Sequence, residues 1–293
     1  MELFFQFALP GLTTGCIYAL VALGFVLCAN VSGLVNFAQG EYVMIGGLIG
    51  ASMATLGLPL AATLAIATIA GAVLGVLQER LTLAPVRRAP AFIQITITLG
   101  VSVIVRGISL IVWGKDPLPM PGFTGDGVFT MLGAVLPIQN LWVWGATILM
   151  LGGLFWFLKF TPAGRAVRAC SINMSAARLM GIDAERMTVM VFAVAGAAAA
   201  LGGAIIAPIA LGRYDAGLDY GLKGFIGAII GGFRSPSMAV AGGIGIGLIE
   251  ALAVGYISSG AKDAIAYGAL LLFLLVQGGV FAFGRAHLTA GSR

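Results

Sequence analysis

Residues 161–183, with the sequence TPAGRAVRACSINMSAARLMGID, form a polar segment between two long apolar parts of the chain. Charged residues make up only 9% of the protein, yet four arginines lie in this segment or just after it. They are Arg165, Arg168, Arg178 and Arg186. The segment therefore divides the chain into two apolar parts joined by one charged, water-exposed element.

The composition is that of a membrane protein. Hydrophobic residues make up 60% of the 293 residues, and charged residues are far below the roughly one quarter usual in soluble domains. About 20 apolar residues in a helix cross a bilayer. We predict an all-α polytopic protein with spans at 5–29, 41–56, 58–78, 92–113, 141–158, 188–211, 221–233, 238–256 and 264–282. The second and seventh spans, 41–56 and 221–233, are shorter than a full crossing of the bilayer requires. The first lacks a basic n-region and is kept as a mature helix rather than a signal peptide.

Cysteine and histidine usage excludes several classes of protein. Three cysteines, Cys16, Cys28 and Cys170, cannot pair completely, so no disulfide framework is predicted. The only histidine, His287, lies in the C-terminal tail. The sequence therefore predicts neither a histidine-based catalytic triad nor a histidine-based metal site. We therefore predict no catalytic site and no metal, although a Ser-Lys enzyme is not excluded by composition. No basic patch interleaved with aromatics suggests a nucleic-acid partner.

The basic residues predict the orientation, because cytoplasmic loops carry an excess of Lys and Arg. Of the 16 basic residues, 11 fall on one side of the predicted spans, 4 on the other, and Arg106 falls inside a span. The richer side carries Arg80, Arg87, Arg88, Lys159, Arg165, Arg168, Arg178, Arg186, Arg234, Arg285 and Arg293. The polar segment and the C-terminus are thus predicted to be cytoplasmic, and an odd number of spans places the N-terminus outside.

Two short glycine-rich segments suggest an inverted repeat. GLVNFAQGEYVMIGG, residues 33–47, and GLDYGLKGFIGAIIG, residues 217–231, share five positions at a constant offset of 184. They begin on opposite sides of the predicted membrane, as an inverted repeat requires. The alternative is two unrelated helices with small residues for close packing. We predict a single transmembrane domain over 1–293, with halves 1–158 and 188–293 joined by 159–187.

The polar segment has the start and stop signals of two short helices. Thr161 followed by Pro162 favours one helix start, and Asn173 favours a second. Gly181 can end the second helix in the left-handed conformation, and Asp183 can cap the following apolar helix. The alternative is a loop whose arginines only hold the helix ends at the headgroups. Such a loop needs no caps, so the pattern favours an ordered surface for a partner protein.

Three motifs, in order, resemble those of one transporter family. GRAVRACSINMSAARLMGID resembles the cytoplasmic motif of bacterial ABC importer permeases of the branched-chain amino-acid (LivH) type. VNFAQGEYVMIGG and GLKGFIGAIIGGFRSPSMAVAGGIGIGLIEAL resemble two further segments of that family, and the resemblance covers nearly the whole chain. The sequence departs from the pattern at Gln39, where histidine is usual, at Gly224, where alanine is usual, and at Phe233 and Arg234.

The resemblance implies a type II-like importer permease that forms half of a transmembrane pathway in the bacterial inner membrane. Its implied partners are a second homologous permease, two cytoplasmic ATPases and a periplasmic solute-binding protein. The sequence contains no phosphate-binding loop of its own, so ATP and Mg would bind the partner ATPases. The implied ATPase-coupling residues are Gly164, Arg165, Arg168, Ala176, Ala177, Gly181 and Ile182.

The expected pathway residues combine the resemblance with polar groups in the apolar spans. They are Asn36, Phe37, Gln39, Gly40, Glu41, Lys223, Phe225 and Glu250. Charges inside a bilayer are functional candidates. Glu250 is expected either to pair with Arg106 or to hold the donors of a broken helix. Glu41 is expected at the cytoplasmic start of its span, where it either caps the helix or takes part in gating.

Two questions stay open from the sequence. The solute of the resembling family is a branched-chain or other aliphatic amino acid, but related permeases handle urea, short amides or aromatic acids. A stand-alone secondary transporter or channel is the other alternative. Such a protein normally needs a chain of charged groups for ion coupling, and only Glu250 and Arg106 are deeply placed.

Overall fold

The computed structural model describes residues 2–233, 235–258, 260 and 262–275. Within these residues the chain is almost entirely helical. The helices are α1 (Glu2–Ser32), α2 (Gln39–Thr55), α3 (Leu60–Gln78), α4 (Ala91–Trp113), α5 (Gln139–Phe160), α6 (Pro162–Ile172), α7 (Met174–Leu179), α8 (Ala184–Ala210), α9 (Ala216–Ile230), α10 (Pro236–Tyr256) and α11 (262–275). A π-helical turn (Glu79–Leu83) and a 3-10 turn (Ala84–Val86) follow α3, and β1 (Val128–Met131) pairs with β2 (Ala134–Pro137) in an antiparallel hairpin.

Among the described residues, six helices are long and apolar enough to cross a membrane: α1, α3 with its following turns, α4, α5, α8 and α10. The predicted all-α polytopic class is thus confirmed. Helices α2 and α9 have 17 and 15 residues, too short for a full crossing, as their apolar runs predict. The predicted span 264–282 begins within α11, and its remainder lies outside the described residues. The β-hairpin between α4 and α5 was not predicted.

Helices α1–α3 and helices α8–α10 form two sets that make matching contacts. Helix α1 packs along α10, and α8 packs along α3. Helix α2 contacts α8 and α3, while α9 contacts α1 and α10. Exchanging α1, α2 and α3 for α8, α9 and α10 therefore reproduces the same contacts, with α2 and α9 meeting at the centre. This two-fold exchange is the arrangement that an internal repeat produces.

The predicted residue register of the repeat is wrong. Helix α2 begins at Gln39 and α9 at Ala216, which are 177 positions apart rather than 184. The difference is about two helical turns, because shared small residues allowed more than one alignment. At the observed offset, the small residues Gly40, Gly47, Gly50 and Ala51 correspond to Gly217, Gly224, Gly227 and Ala228. The equivalent residues Gly40 and Gly217 meet, since a Cβ on Gly40 would overlap the Gly217 carbonyl oxygen.

Direct backbone contact between α2 and α8 depends on glycine. A Cβ on Gly46 would overlap the carbonyl oxygen of Ala200, and a Cβ on Gly203 would overlap that of Val43. Packing in membranes relies on such close approach, since lipid removes the hydrophobic drive between helices. The close packing of α2 on α8 therefore depends on glycine at these two positions.

We expect Gly46→Leu to destabilise the protein by about 3 kcal/mol, since the new side chain must separate α2 from α8. Gly152→Leu is the matched control, because nothing lies within 4 Å of a Cβ at Gly152. The free energy of unfolding of the detergent-solubilised protein, measured by SDS titration, checks both variants. Equal stability of the two variants would contradict the packing described here.

Candidate functional site

The polar segment folds as two capped helices, as the sequence predicts. The Thr161 hydroxyl accepts a hydrogen bond from the Gly164 N–H at 2.9 Å, and the Asn173 side chain accepts one from the Ala176 N–H at 3.0 Å. Gly181 follows α7 with φ of +81°. The Asp183 carboxylate accepts hydrogen bonds from the first N–H groups of α8. The segment is therefore an ordered element, not a loose loop.

One face of this segment anchors it to the bundle. Val167, Cys170 and Ala177 are buried in a cluster with the ends of α1 and α8. Gly164 is also buried, and a Cβ there would overlap the Phe157 carbonyl oxygen, so α6 can turn tightly against α5 only with glycine at this position. Ile182 is partly buried in the same cluster.

The opposite face exposes large apolar side chains among cations. Ile172, Leu179 and Met180 are 83%, 89% and 82% exposed. Arg165, Arg168 and Arg178 are exposed beside them, as is Ala176. Large apolar side chains this exposed on an ordered element are candidates for contact with a partner. We call the α6–α7 segment the coupling element, after the role predicted from its sequence.

An ion-pair cluster links the first turn of α8 to the turns after α3. Arg87 contacts the buried carboxylate of Glu79 in the π-helical turn, and it contacts Glu185 Oε2 in the first turn of α8 at 2.9 Å. A π-helical turn often marks a functional position in a helix. Neither the turn nor the pairing was predicted from sequence, because both depend on long-range contacts.

Asn36 and Gln39 hold the start of α2 through amide hydrogen bonds. The Asn36 side chain accepts from Gln78 Nε2 at 2.6 Å and caps the Ala38 N–H at 3.1 Å. Tyr42 also donates to Gln78. Gln39 donates to the Ala195 carbonyl oxygen of α8 at 3.2 Å. Both predicted residues are fully buried, so they fix the short helix within the bundle.

Phe37 and Phe225 meet in an aromatic cluster beside the start of α2. Their ring centroids lie 5.1 Å apart, and Phe25 and Phe233 complete the cluster at 5.5 and 5.8 Å from Phe225. Edge and tilted contacts of this kind stabilise a compact aromatic cluster. The structure therefore brings together two predicted pathway residues that are far apart in the sequence.

The expected pairing of Arg106 with Glu250 is wrong. Arg106 instead contacts Glu41 Oε1 at 2.6 Å, and the Ser102 hydroxyl donates to the same oxygen at 2.7 Å. Glu41 is 1% exposed and lies against Gly217 of α9, so it is not at a water-facing helix start. The Glu41 carboxylate therefore does not cap α2, and it is the buried partner of Arg106 and Ser102.

Glu250 and Lys223 lie in a second buried charge cluster. Lys223 Nζ is 3.0 Å from Glu250 Oε1 and 2.9 Å from Asp263, while Lys262 Nζ is 2.8 Å from the same Glu250 oxygen. The Tyr18 hydroxyl donates to Glu250 Oε2 at 2.8 Å. Glu250 thus accepts from side-chain donors of α1, α9 and α11, although none of these three helices is the broken helix that was expected.

The predicted residues therefore separate into two regions. The predicted coupling residues lie together at one end of the bundle, and the predicted pathway residues lie inside it, on or against α2 and α9. Tyr18, Gln78, Ser102 and Lys262 complete the inner clusters and were missed. A polar residue inside an apolar span was the available signal for Gln78 and Ser102.

Comparison with known proteins agrees with this architecture. The family model for the branched-chain amino acid transport system / permease component matches residues 7–281. The chain is 30% identical to the high-affinity branched-chain amino acid transport system permease protein LivH of Salmonella typhimurium, over 94% of each chain. It is 29% identical to BraD of Pseudomonas aeruginosa over the same shares, and 27% identical to the ribose import permease protein RbsC of Haemophilus influenzae, over 82% of this chain and 72% of that relative. No solved structure matches.

The match spans both apolar parts, the coupling element and the short helices α2 and α9. The part of the chain that the structure describes holds six helices fit for membrane crossing, so the chain is a multi-pass membrane protein. The chain belongs to the family of branched-chain amino acid transport system permease components.

Proposed function

We propose that this chain forms half of the translocation pathway of an ATP-driven importer for branched-chain or other aliphatic amino acids. The coupling element carries this proposal, because a capped, rigid segment exposes three large apolar side chains among arginines. A secondary transporter has no need of such a surface. The family membership and the relatives named for branched-chain amino acid transport support the choice of solute.

The assembly we propose has four further subunits. A second homologous permease forms the other half of the pathway, two ATPases bind ATP and Mg and contact the coupling elements, and a periplasmic binding protein delivers the solute. The chain lies in the bacterial inner membrane, with its coupling element and C-terminus in the cytoplasm and its N-terminus in the periplasm. The bias of basic residues toward the coupling end supports this orientation.

A solute screen on the assembled complex tests the proposal. The complex is reconstituted in nanodiscs, and ATPase activity is measured with the binding protein and each solute. Leucine, isoleucine and valine are expected to stimulate hydrolysis most. Stimulation only by urea, acetamide, an aromatic acid or ribose would contradict the proposed solute class, and the absence of any solute effect would contradict the importer role.

We expect Arg87→Gln to destabilise the protein by about 3 kcal/mol, since it leaves the buried Glu79 carboxylate unpaired. It should also lower uptake per ATP hydrolysed, because Arg87 connects α8 to the turns after α3. Arg88→Gln is the control, with the same charge change at an adjacent exposed residue. Stability and the ratio of uptake to hydrolysis are measured for both variants. If Arg87→Gln matches the control in both measurements, Arg87 does not connect α8 to the turns after α3.

A further inference from the structure

A groove of about 590 Å³ lies between α3 and α8, at the end of the bundle that carries the coupling element. It is formed by the last turn of α3 with the two turns that follow it, and by the first three turns of α8. Three arginines and three carboxylates line it, so the lining carries no net charge. Its volume lies within the roughly 300–1,000 Å³ usual for small-molecule sites.

One arginine of the groove is shared by two of its carboxylates. Arg87 contacts Glu79 Oε1 and also Glu185 Oε2, the latter at 2.9 Å, so this group of three carries one negative charge in excess. Glu79 Oε2 is buried, and no group of the described residues donates a hydrogen bond to it. A buried carboxylate oxygen without a donor is unfavourable. This part of the groove therefore favours a ligand with an ammonium group.

Arg80 supplies the opposite charge. It lines the groove and is exposed, and among the described residues no carboxylate lies within ion-pair distance of it. Arg186 of α8 also lines the groove; it contacts Asp183 through Nε at 2.9 Å and is otherwise exposed. The planar guanidinium of arginine can donate two parallel hydrogen bonds to a phosphate. This part of the groove therefore favours a phosphate group.

The apolar part of the groove continues into the exposed surface of α3. Val76 and Val189 line the groove about one turn further along the membrane spans than the charged residues. On α3, Ile69, Val73 and Leu77 are 61%, 48% and 45% exposed, and they lie one turn apart on one face. Apolar side chains exposed along a membrane-spanning helix face the acyl chains of lipids. The groove thus joins a charged end to the hydrocarbon of the bilayer.

We infer that this groove binds phosphatidylethanolamine, with the phosphate at Arg80 and Arg186, the primary ammonium at Glu79 and Glu185, and an acyl chain along Val76. The balanced charges of the lining favour this zwitterionic headgroup over an anionic one such as phosphatidylglycerol. The quaternary ammonium of phosphatidylcholine carries no N–H to donate to Glu79 Oε2. A lipid bound here joins α3 to α8 beside the coupling element, and the site does not depend on which solute is transported.

Native mass spectrometry of the detergent-purified full-length chain tests the site. Three dioleoyl lipids that differ only in headgroup are titrated: phosphatidylethanolamine, phosphatidylcholine and phosphatidylglycerol. The first is expected to bind its highest-affinity site about tenfold more tightly than either of the others, because only its headgroup donates hydrogen bonds from an ammonium. Soluble glycerophosphoethanolamine at equal concentration is expected to displace none of the bound lipid, because it has no acyl chain for the apolar part of the groove.

Two variants separate the two parts of the headgroup. Arg80→Gln should weaken the binding of phosphatidylethanolamine and phosphatidylglycerol alike, about tenfold each, because both carry the phosphate. Glu185→Gln should weaken only phosphatidylethanolamine, so that the two lipids then bind equally. Both replaced side chains are exposed, so neither change removes a buried contact. Arg88→Gln, at an exposed arginine that does not line the groove, is the control and should bind all three lipids like the parent chain.

Three outcomes would overturn the inference: equal binding of the three lipids by the parent chain, displacement of the lipid by the soluble headgroup, or parent-like lipid binding by Arg80→Gln or Glu185→Gln. Loss of ATPase co-purification in Arg80→Gln, without any headgroup preference in the parent, would instead identify the groove as a contact with the ATPase. None of these outcomes bears on the proposed importer function, which the solute screen tests separately.

Discussion

Replacement of Leu179 by aspartate is expected to abolish ATP-driven uptake while leaving the amount of protein in the membrane unchanged. Leu179 is 89% exposed at the end of α7, so its substitution removes no contact within the bundle. If an ATPase groove covers this side chain, a carboxylate would be buried there without a partner, at a cost of several kcal/mol. Uptake into proteoliposomes and co-purification of the ATPase are the two measurements.

The control for this variant is Leu132→Asp, at the turn of the β-hairpin. Leu132 is also an exposed leucine, and its φ of +55° is a conformation that aspartate tolerates well. The hairpin lies between α4 and α5, at the end of the bundle away from the coupling element. We expect this control to keep both uptake and ATPase binding. Normal uptake by Leu179→Asp would show that the exposed face of α7 does not contact the ATPase.

Replacement of Arg106 by methionine is expected to cost about 3–5 kcal/mol of stability, because it leaves the buried Glu41 carboxylate with only the Ser102 hydroxyl. An unpaired charge inside a bilayer is unfavourable on every scale of transfer free energy. Glu41 also lies against Gly217 of α9, so its displacement would disturb the contact between α2 and α9. The free energy of unfolding is measured by SDS titration, and uptake is measured in parallel.

The double variant Glu41→Gln with Arg106→Met separates the loss of the pair from the loss of packing. Removing both charges should restore more than half of the lost stability, since the desolvation penalty of the lone carboxylate disappears. Additive effects of the two substitutions would mean that the ion pair seen between α2 and α4 does not form in the membrane.

The coupling element could be predicted almost completely from sequence, because its signals are local. Thr161, Asn173 and Asp183 act on N–H groups two or three residues away, and Gly181 acts through its own φ. Signals of this range need no knowledge of the fold. The exposure of Ile172, in contrast, depends on which face of α6 packs on α5 and α8, and the sequence alone did not indicate it.

The inner clusters could be predicted only in part. Charged and amide residues in apolar spans marked Glu41, Arg106 and Glu250 as functional candidates, but not their partners. Glu41 and Arg106 are 65 residues apart, and Tyr18 and Glu250 are 232 apart. Such partners depend on helix register and crossing, which repeated small residues leave ambiguous. The same ambiguity gave the repeat its wrong offset of 184.

Reconstitution of transport tests the central claim most directly, namely that separate ATPases drive this permease through the coupling element. Leucine uptake is measured in proteoliposomes that contain this chain and its partner permease, with and without the ATPases, ATP and the binding protein. Uptake is expected only when all components are present. Leucine uptake by this chain alone, driven by an ion gradient or by the leucine gradient itself, would contradict it.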